Sequence, residues 1–222
     1  TGLHLASGIY VIPVDSDDYV LPKLTDFLEK AVIDHDFPDV VSYWVEHQDP
    51  NGKLTMWSKP DTGEISCGDA LCKVLRMEFL WNMWGKIFKT STYRKAIDRF
   101  GISGIQSNVG EDILQCLAIL LQGSRFVSCR YVGYRYVHNE KSVTNDLQSR
   151  ERFASHIADI GNAVFCCDRM LSGISEEYGN LFQGVRRRIV RWNIETFGKV
   201  DVQEWGSRIN LMCGAFKDSE MV

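Results

Sequence analysis

An apolar segment near the beginning of the sequence runs directly into a cluster of acidic residues. Residues 9–14 read IYVIPV, a bounded and β-branched run typical of a buried strand, and Asp15, Asp17 and Asp18 follow at once. Three carboxylates this close repel one another unless a positive charge lies among them. Ligands of α/β sheets bind beyond the carboxyl ends of the strands, so we predict a binding site here. Hard oxygen ligands of this kind suit Mg²⁺ or Mn²⁺.

Two other interpretations of these acids stay open at the level of sequence. Asp17 and Asp18 would also stabilise the positive end of a helix, which the pattern after Pro22 predicts. A phosphatase with an aspartate nucleophile at a strand end is the other alternative, and it needs a basic residue and further acids around a phosphate. A calcium loop is disfavoured because Tyr19 and Val20 stand at loop positions five and six, where a ligand and a glycine are required.

Composition restricts the class of protein. The 222 residues carry 25 basic and 29 acidic side chains, and the formal net charge of −4 argues against a nucleic-acid-binding protein driven by net charge. No apolar run is long enough for a membrane-spanning helix. The seven cysteines lack the spacing of a zinc site, so we expect reduced thiols and a cytoplasmic location.

Strand and helix patterns alternate in the first part of the sequence, and helical patterns dominate the rest. Turn residues at 49–53 separate two strand patterns and predict a hairpin. The segment 68–84 is predicted to be helical, and a later helix is predicted to have Ser91 or Thr92 as its N-cap. The predicted fold class is therefore an α/β core with a helical C-terminal extension.

A second acidic pair begins the helical pattern EDILQCLAILLQ. Either Glu111 or Asp112 alone would be an ordinary acid in the first turn of a helix, where the helix dipole favours it. The helix is apolar on most sides, so we expect it to be buried and its first turn to be rigid, as a catalytic base requires. Partial burial beside a second carboxylate would raise the pKa of Asp112 and make it an effective base near neutrality.

Four motifs together resemble the family 2 glycosyltransferases of the GT-A fold. ASGIYVIPVDSDDYVLPKL is similar to the family's Gly-x-Tyr strand and Asp-x-Asp element, and LWNMWGKIFKTS to its Trp-Gly-Lys segment. EDILQCLAIL resembles its Glu-Asp helix start, and YVGYRYVHNEKSVT its Tyr-rich strand with a following Ser-x-Thr. The resemblance covers residues 1–145 and implies a Rossmann-like mixed sheet flanked by helices, with residues 146–222 as a helical extension.

The resemblance also implies an activity and roles for the two acidic clusters. Enzymes of this family move a sugar from a nucleotide-sugar, here expected to be a UDP-sugar, to an acceptor hydroxyl with inversion. Asp15 and Asp17, assisted by Asp18, would face the ribose and diphosphate of the donor through Mn²⁺ or Mg²⁺. Asp112 would take the proton of the acceptor hydroxyl, and Glu111 would position the acceptor.

Further residues acquire expected roles through the same resemblance. His138 would be a metal ligand or would bring positive charge to the diphosphate, and Arg135 could serve in its place. Trp81 and Trp84, with Lys86, would contact the acceptor, although tryptophans three residues apart on a helix also pack in cores.

The sequence departs from the family at its beginning. Family members open with two strands and an Asp pair that holds uracil and ribose, and neither precedes residue 9. We therefore expect an N-terminally truncated domain that by itself binds donor poorly. The alternative is a non-catalytic fragment with a binding or structural role.

A basic helical segment suggests a membrane partner. Leu181, Val185, Ile189 and Trp192 are predicted to form an apolar stripe, with Arg186, Arg187, Arg188 and Arg191 around it. Such a helix either packs in a core with a solvated basic face or contacts anionic lipid headgroups. The second role would suit a saccharide or lipid-linked acceptor in bacterial polysaccharide or glycolipid synthesis, at the inner face of the membrane.

Overall fold

A computed structural model describes residues 2–61, 63–105, 109–139, 149–196 and 200–216. These residues form a mixed α/β fold in which a curled mixed sheet is flanked by helices, which confirms the predicted fold class. The chain divides into two compact units, one of residues 1–103 and 115–139 and the other of residues 104–114 and 140–222. The domain boundary predicted at residue 145 lies outside the described residues.

Seven strands in the described residues form one sheet. They are β1 (Tyr10–Val11), β2 (Tyr19–Val20), β3 (Val40–Gln48), β4 (Leu54–Ser58), β5 (Glu64–Ser66), β6 (Lys86–Lys89) and β7 (Arg125–Val137). The order is β1-β6-β3-β7-β2, with β4 also paired to β3 and β5 to β7. The central strands β3 and β7 run parallel, and the other pairs are antiparallel.

The α-helices of the described residues lie before, between and after the strands along the chain. They are α1 (Gly2–Leu5), α2 (Leu24–Asp34), α3 (Cys67–Leu75), α4 (Thr90–Phe100), α5 (Glu111–Gln122), α6 (Arg150–Ser172), α7 (Glu176–Glu195) and α8 (Trp205–Ala215). None of these helices combines the length and the apolar character that crossing a membrane requires.

The core of the first unit lies where α2 packs on β3 and β7. Leu24 and Leu28 of α2 are buried against Tyr43 of β3 and Tyr134 of β7. Gly133 makes this close approach possible, because a Cβ at that position would lie 2.4 Å from Cδ1 of Leu24. The packing therefore holds the last part of β7 rigidly against the helix.

The predicted hairpin is confirmed. Strands β3 and β4 pair antiparallel across the turn at residues 49–53. Oδ1 of Asp49 accepts hydrogen bonds from the backbone N–H groups of Asn51 (2.9 Å) and Lys53 (2.8 Å). An aspartate that binds its own downstream backbone in this way is a standard means of closing a turn.

The helix predicted over 68–84 is wrong after Leu75. Residues 76–85 follow an irregular path with positive φ at Met77 (61°) and at Gly85 (73°). A positive φ interrupts a right-handed helix, and Gly85 avoids the Cβ that would lie 2.7 Å from Cγ2 of Val45. The apolar spacing reflects burial of Met83 and Trp84 in the core, not one face of a helix.

Two smaller expectations also need correction. The first strand is limited to Tyr10–Val11, and residues 12–14 are not part of it. The N-cap of α4 is Lys89, not Ser91 or Thr92. The hydroxyl of Thr92 instead donates to Oδ1 of Asp39 (2.5 Å), so a tertiary contact took the place of the predicted cap.

The second unit contains α6, α7 and α8. Phe153 and Val164 of α6 and Phe182 and Val185 of α7 are buried in its core. Ser149 and Ser175 are the N-caps of α6 and α7, and their side chains accept backbone hydrogen bonds.

The arrangement around α7 differs from the prediction in two positions. Trp192 is exposed although it was placed on the apolar stripe, whereas Val185 and Ile189 are buried as expected. Arg186 is buried although it was placed on the basic face, while Arg187 and Arg188 are exposed. The apolar stripe is rotated toward Phe182 and Asn193, because neighbouring helices and not the sequence period alone decide which face is covered.

Candidate functional site

The three acids of the N-terminal segment lie on a tight turn between β1 and β2. The N–H of Asp18 donates to the carbonyl oxygen of Asp15 (3.2 Å), and this hydrogen bond closes the turn. Asp15 and Asp17 are exposed, and Asp18 is half-buried. Strand β2 pairs Tyr19 with Arg135, which places the turn beside the carboxyl end of β7.

The carboxyl end of β7 holds this turn through side chain and backbone. The hydroxyl of Tyr134 accepts a hydrogen bond from the N–H of Asp15 (3.0 Å) and donates one to Oδ2 of Asp18 (2.7 Å). The N–H of Val137 donates to Oδ1 of Asp18 (2.8 Å), and Nδ2 of Asn139 donates to Oδ2 of Asp17 (2.8 Å). Both carboxylate oxygens of Asp18 therefore accept hydrogen bonds from β7, while Asp15 and Asp17 are exposed to solvent.

The turn is a region of negative potential. Burial raises the pKa of Asp18, the hydrogen bonds from Val137 and Tyr134 oppose this, and the charge of Asp17 raises it further. The pKa of Tyr136 is raised first by burial and then by the charges of all three acids. A cation bound between these carboxylates would relieve their repulsion.

We expect Tyr134→Phe to loosen the acidic turn. The substitution removes the hydroxyl that joins Asp15 to Asp18, and we expect a loss of about 1–3 kcal/mol in the free energy of unfolding, the usual cost of unpaired polar groups. Chemical denaturation measures the loss. Tyr131→Phe is the matched control, because its exposed hydroxyl donates only to the carbonyl of Pro22 (2.9 Å). If Tyr134→Phe lost no more free energy of unfolding than Tyr131→Phe, this would contradict a structural role for the Tyr134 hydroxyl.

An aromatic cluster lies at the same end of the sheet. It consists of His47, Trp57, Trp84, Tyr136 and His138. The ring of Trp57 meets His47 and Tyr136 edge-on, with 4.7 Å between ring centroids in each case, yet Trp57 stays 46% exposed. Its position is set by neighbouring rings, so it offers a rigid apolar face to solvent.

Two histidines belong to this cluster. The N–H of His138 donates to the carbonyl of Gln48 (2.9 Å), and its ring lies edge-on to His47 with 6.1 Å between centroids. Nε2 of His47 is buried and has no hydrogen-bond partner among the described residues. The structure thus brings His138 to the end of β7, one residue from Val137, which binds Asp18. Its role toward metal or diphosphate stays a prediction.

The expected acceptor residues have different surroundings. Trp84 is only 5% exposed and stacks on Tyr134 with 5.9 Å between centroids, so almost none of its surface can meet a sugar. Trp81 is half-buried in the irregular segment, not on a helix. Lys86 is buried and its Nζ donates to the carbonyl of Asn82 (2.6 Å). It lines a cavity of about 180 Å³ together with Trp57. Acceptor contact by Trp81, Trp84 and Lys86 stays a prediction.

Arg135 is engaged in an ion pair. Its Nε and Nη2 both lie 2.7 Å from Oε1 of Glu46, on the neighbouring strand β3. The charge that we expected to meet the diphosphate is therefore balanced by a carboxylate, and its role in donor binding stays a prediction.

The second acidic pair begins α5 as predicted. Glu111 and Asp112 are half-buried in its first turn, and Ile113 and Leu114 behind them are buried. Both acids belong to the second unit. Their catalytic roles stay predictions, and the Ser-x-Thr segment at 142–144 lies outside the described residues.

Sequence reasoning missed three residues of the site: His47, Trp57 and Asn139. The only available signal for Asn139 was its position directly after His138 in the aromatic strand motif. His47 and Trp57 come from the hairpin, whose pattern predicts strands but not which of its side chains meet the end of β7. Their convergence depends on the pairing of β3 with both β4 and β7.

Binding of a divalent cation by the exposed part of the acidic turn stays a prediction. In the described part of the chain, no group of three or more His, Cys, Asp or Glu side chains is arranged to hold a metal ion. Asp15, Asp17 and His138 therefore do not form a complete site by themselves. Mg²⁺ commonly binds through one or two carboxylates plus water and substrate phosphates, and two exposed carboxylates on an anchored turn suit that mode.

Comparison with known proteins supports the fold. No family model matches the chain, and a search of curated proteins finds no match. Among solved structures, the chain is similar to TarS of S. aureus, a glycosyltransferase, with a TM-score of 0.56 and 18% identity. The match covers 98% of this chain and 36% of the TarS chain. At this identity the likeness shows the fold alone: the chain has a glycosyltransferase-like fold of the Rossmann type.

Proposed function

We propose that the protein is a glycosyltransferase that moves a sugar from a nucleotide-sugar, of the UDP class, to an acceptor hydroxyl. The observation that carries the proposal is the acidic turn, which Tyr134, Val137 and Asn139 anchor at the end of a central strand. A fold of the glycosyltransferase type adds support. The proposal includes inversion at the anomeric carbon and membership of family 2, which rest on the motif resemblance.

On the donor side, the exposed carboxylates of Asp15 and Asp17 would hold Mn²⁺ or Mg²⁺. When bound, the ion would supply Lewis-acid stabilisation of the leaving diphosphate. Asp18 would act as a positioning residue, because both of its oxygens already accept hydrogen bonds from the end of β7. His138 would donate to a diphosphate oxygen, since it directly follows the residue whose N–H binds Asp18.

On the acceptor side, Trp57 would add a stacking contact to the acceptor contacts proposed for Trp81, Trp84 and Lys86. Its exposed face and the cavity that it shares with Lys86 support this role. Asp112 would take the proton from the attacking hydroxyl, and Glu111 would position the acceptor.

The proposal extends to the class of acceptor and to the location of the protein. A saccharide or a lipid-linked acceptor would suit the exposed Arg187, Arg188 and Arg191 of α7, which could contact anionic headgroups at the inner face of the membrane. Bacterial polysaccharide or glycolipid synthesis in the cytoplasm would be the setting.

Calorimetric titration of the chain with uridine diphosphate tests the proposal. We expect weak but saturable binding in the presence of Mn²⁺ and none after chelation of the metal. Heats equal to those of buffer, with and without Mn²⁺, would support a non-catalytic or structural module instead. Release of phosphate from an aryl phosphate, dependent on Asp15 and indifferent to Asp112, would support the phosphatase alternative.

We expect Trp57→Ala to weaken acceptor binding more than turnover. Loss of an aromatic contact worth about 0.5–1.5 kcal/mol beyond its area corresponds to a rise of up to about tenfold in the KM for the acceptor, with kcat changed less than about twofold. Steady-state kinetics on the active enzyme separates the two constants. Leu54→Ala is the matched control, because Leu54 is equally exposed on the same strand but lies outside the aromatic cluster. An unchanged KM in the Trp57 variant would contradict the stacking role.

A further inference from the structure

The second unit contains a cavity of about 230 Å³ that the proposed transfer reaction does not use. Side chains of α6 and α7 and the end of α8 line it. Its small wall residues include Gly161, where an added Cβ would lie 3.0 Å from Ala215, so the close approach of α6 to α8 depends on a glycine. The cavity is smaller than the roughly 300–1,000 Å³ of pockets for drug-sized ligands, and it suits a ligand of about one sugar ring.

A buried arginine points to a ligand in this cavity. Arg186 is only 7% exposed, and its Nη1 donates to Oε1 of Gln183 (3.3 Å) and lies 3.7 Å from Oδ1 of Asp168. Its Nε is buried and finds no acceptor among the described residues. An arginine cannot lose its proton in a protein, and a buried donor without an acceptor is costly, so an oxygen atom from a ligand would complete the group.

The charges of the cavity select a neutral ligand. Asp168 also lines the cavity and offsets the charge of Arg186, so a phosphate or carboxylate would meet repulsion as well as attraction. The Arg186 guanidinium donates, the Asp168 carboxylate accepts, and the exposed amide of Asn162 does both. Adjacent hydroxyl groups of a sugar or polyol both donate and accept, and they match this combination.

An aromatic side chain completes the arrangement. Phe165 lines the same cavity and is 43% exposed, with the guanidinium carbon of Arg169 at 5.8 Å from its ring centroid. An exposed ring beside polar groups can cover the C–H face of a sugar while those groups bind its hydroxyls.

We propose that this cavity binds one neutral sugar or polyol unit through Arg186, Asp168 and Asn162, with Phe165 against its apolar face. Identification of that sugar as part of the acceptor rests on the proposed function; the binding of a sugar to this cavity does not. The chain would then have a saccharide contact in its second unit, separate from the acidic turn of the first.

Ligand-observed NMR on the 222-residue chain tests the proposal, with glucose, maltotriose and inorganic phosphate as probes. We expect the neutral sugars to bind and phosphate not to compete. Phe165→Ala should lower the affinity at least about fivefold, and Arg186→Lys should do the same, because lysine keeps the charge but lacks the Nε donor. Ile174→Ala is the matched control: this exposed residue of the same unit does not line the cavity, and its loss should change nothing.

Four results would overturn the proposal. The first three are absence of binding by either sugar, preferential binding of phosphate, and sugar binding that both Phe165→Ala and Arg186→Lys leave intact. The fourth is loss of binding in Trp57→Ala, which would assign the sugar to the first unit. If Arg186→Lys does not fold, the exposed Phe165 variant decides by itself. Asp17→Ala should still bind sugar, so failure of the proposed transfer function and failure of this site are distinguishable.

Discussion

Replacement of Asp17 by alanine is expected to remove the Mn²⁺-dependent binding of uridine diphosphate. Asp17 is exposed on the acidic turn, and its carboxylate would help to hold the proposed cation. Mutation of groups that merely support metal ligands typically costs about ten- to a hundredfold in affinity, so loss of a ligand should cost more than about a hundredfold. Calorimetry with and without Mn²⁺ measures the change.

The neighbouring acids provide controls for this experiment. Asp17→Ala should cost only about 0.5–1.5 kcal/mol of stability, since it removes one exposed hydrogen bond, that from Nδ2 of Asn139. Asp18→Ala should instead destabilise the chain, because it removes the acceptor of the Tyr134 and Val137 hydrogen bonds. Asp34→Ala, at an exposed acid at the end of α2, should change neither property. Metal-dependent binding that survives in Asp17→Ala would contradict the assignment of the cation to this turn.

Asp112→Asn is expected to abolish sugar transfer in the active enzyme while donor affinity stays nearly intact. Asparagine has almost the same shape as aspartate but cannot accept a proton, and general base catalysis usually contributes about 10²–10⁴-fold to the rate. The Kd for the donor should not change, because the proposed donor contacts lie at Asp15 and Asp17. Single-turnover kinetics and a separate donor titration measure the two quantities.

Glu111→Gln is the matched control for this second prediction. Both residues lie half-buried in the first turn of α5, so the two substitutions remove the same charge at the same helix end. Suppose that the only role of these acids were to stabilise the positive end of the helix dipole. Both variants would then lose a similar amount of stability, typically about 0.3–1 kcal/mol, and the same fraction of activity. Wild-type turnover in Asp112→Asn would show that the base lies elsewhere.

Short-range patterns predicted the regular elements well. The alternation in residues 40–48 and the turn at 49–53 predicted the β3–β4 hairpin, and the apolar period after Asp112 predicted α5. These elements depend on spacing along the chain and on turn chemistry, which neighbouring residues express directly.

The predictions from sequence failed where tertiary contacts opposed the local pattern of apolar residues. The segment after Leu75 has helical spacing, but Met83 and Trp84 are drawn into the core beside Tyr134. Arg186 was expected on a solvated basic face, yet packing of α6 against α7 buries it beside Asp168. A single sequence does not state which neighbour covers which face, so such errors are expected at buried polar residues.

The sequence by itself determined where the hairpin and α5 form and placed three acids directly after an apolar segment, because the period of side chains and the charge density of a short segment are local properties. Only the tertiary structure decided which of those acids is held by hydrogen bonds and which are exposed. Because β2 pairs with β7, both carboxylate oxygens of Asp18 accept hydrogen bonds, while Asp15 and Asp17 stay exposed. Pairing of β3 with both β4 and β7 brought His47 and Trp57 beside Tyr136, because hydrogen bonds between strands join residues that lie far apart along the chain.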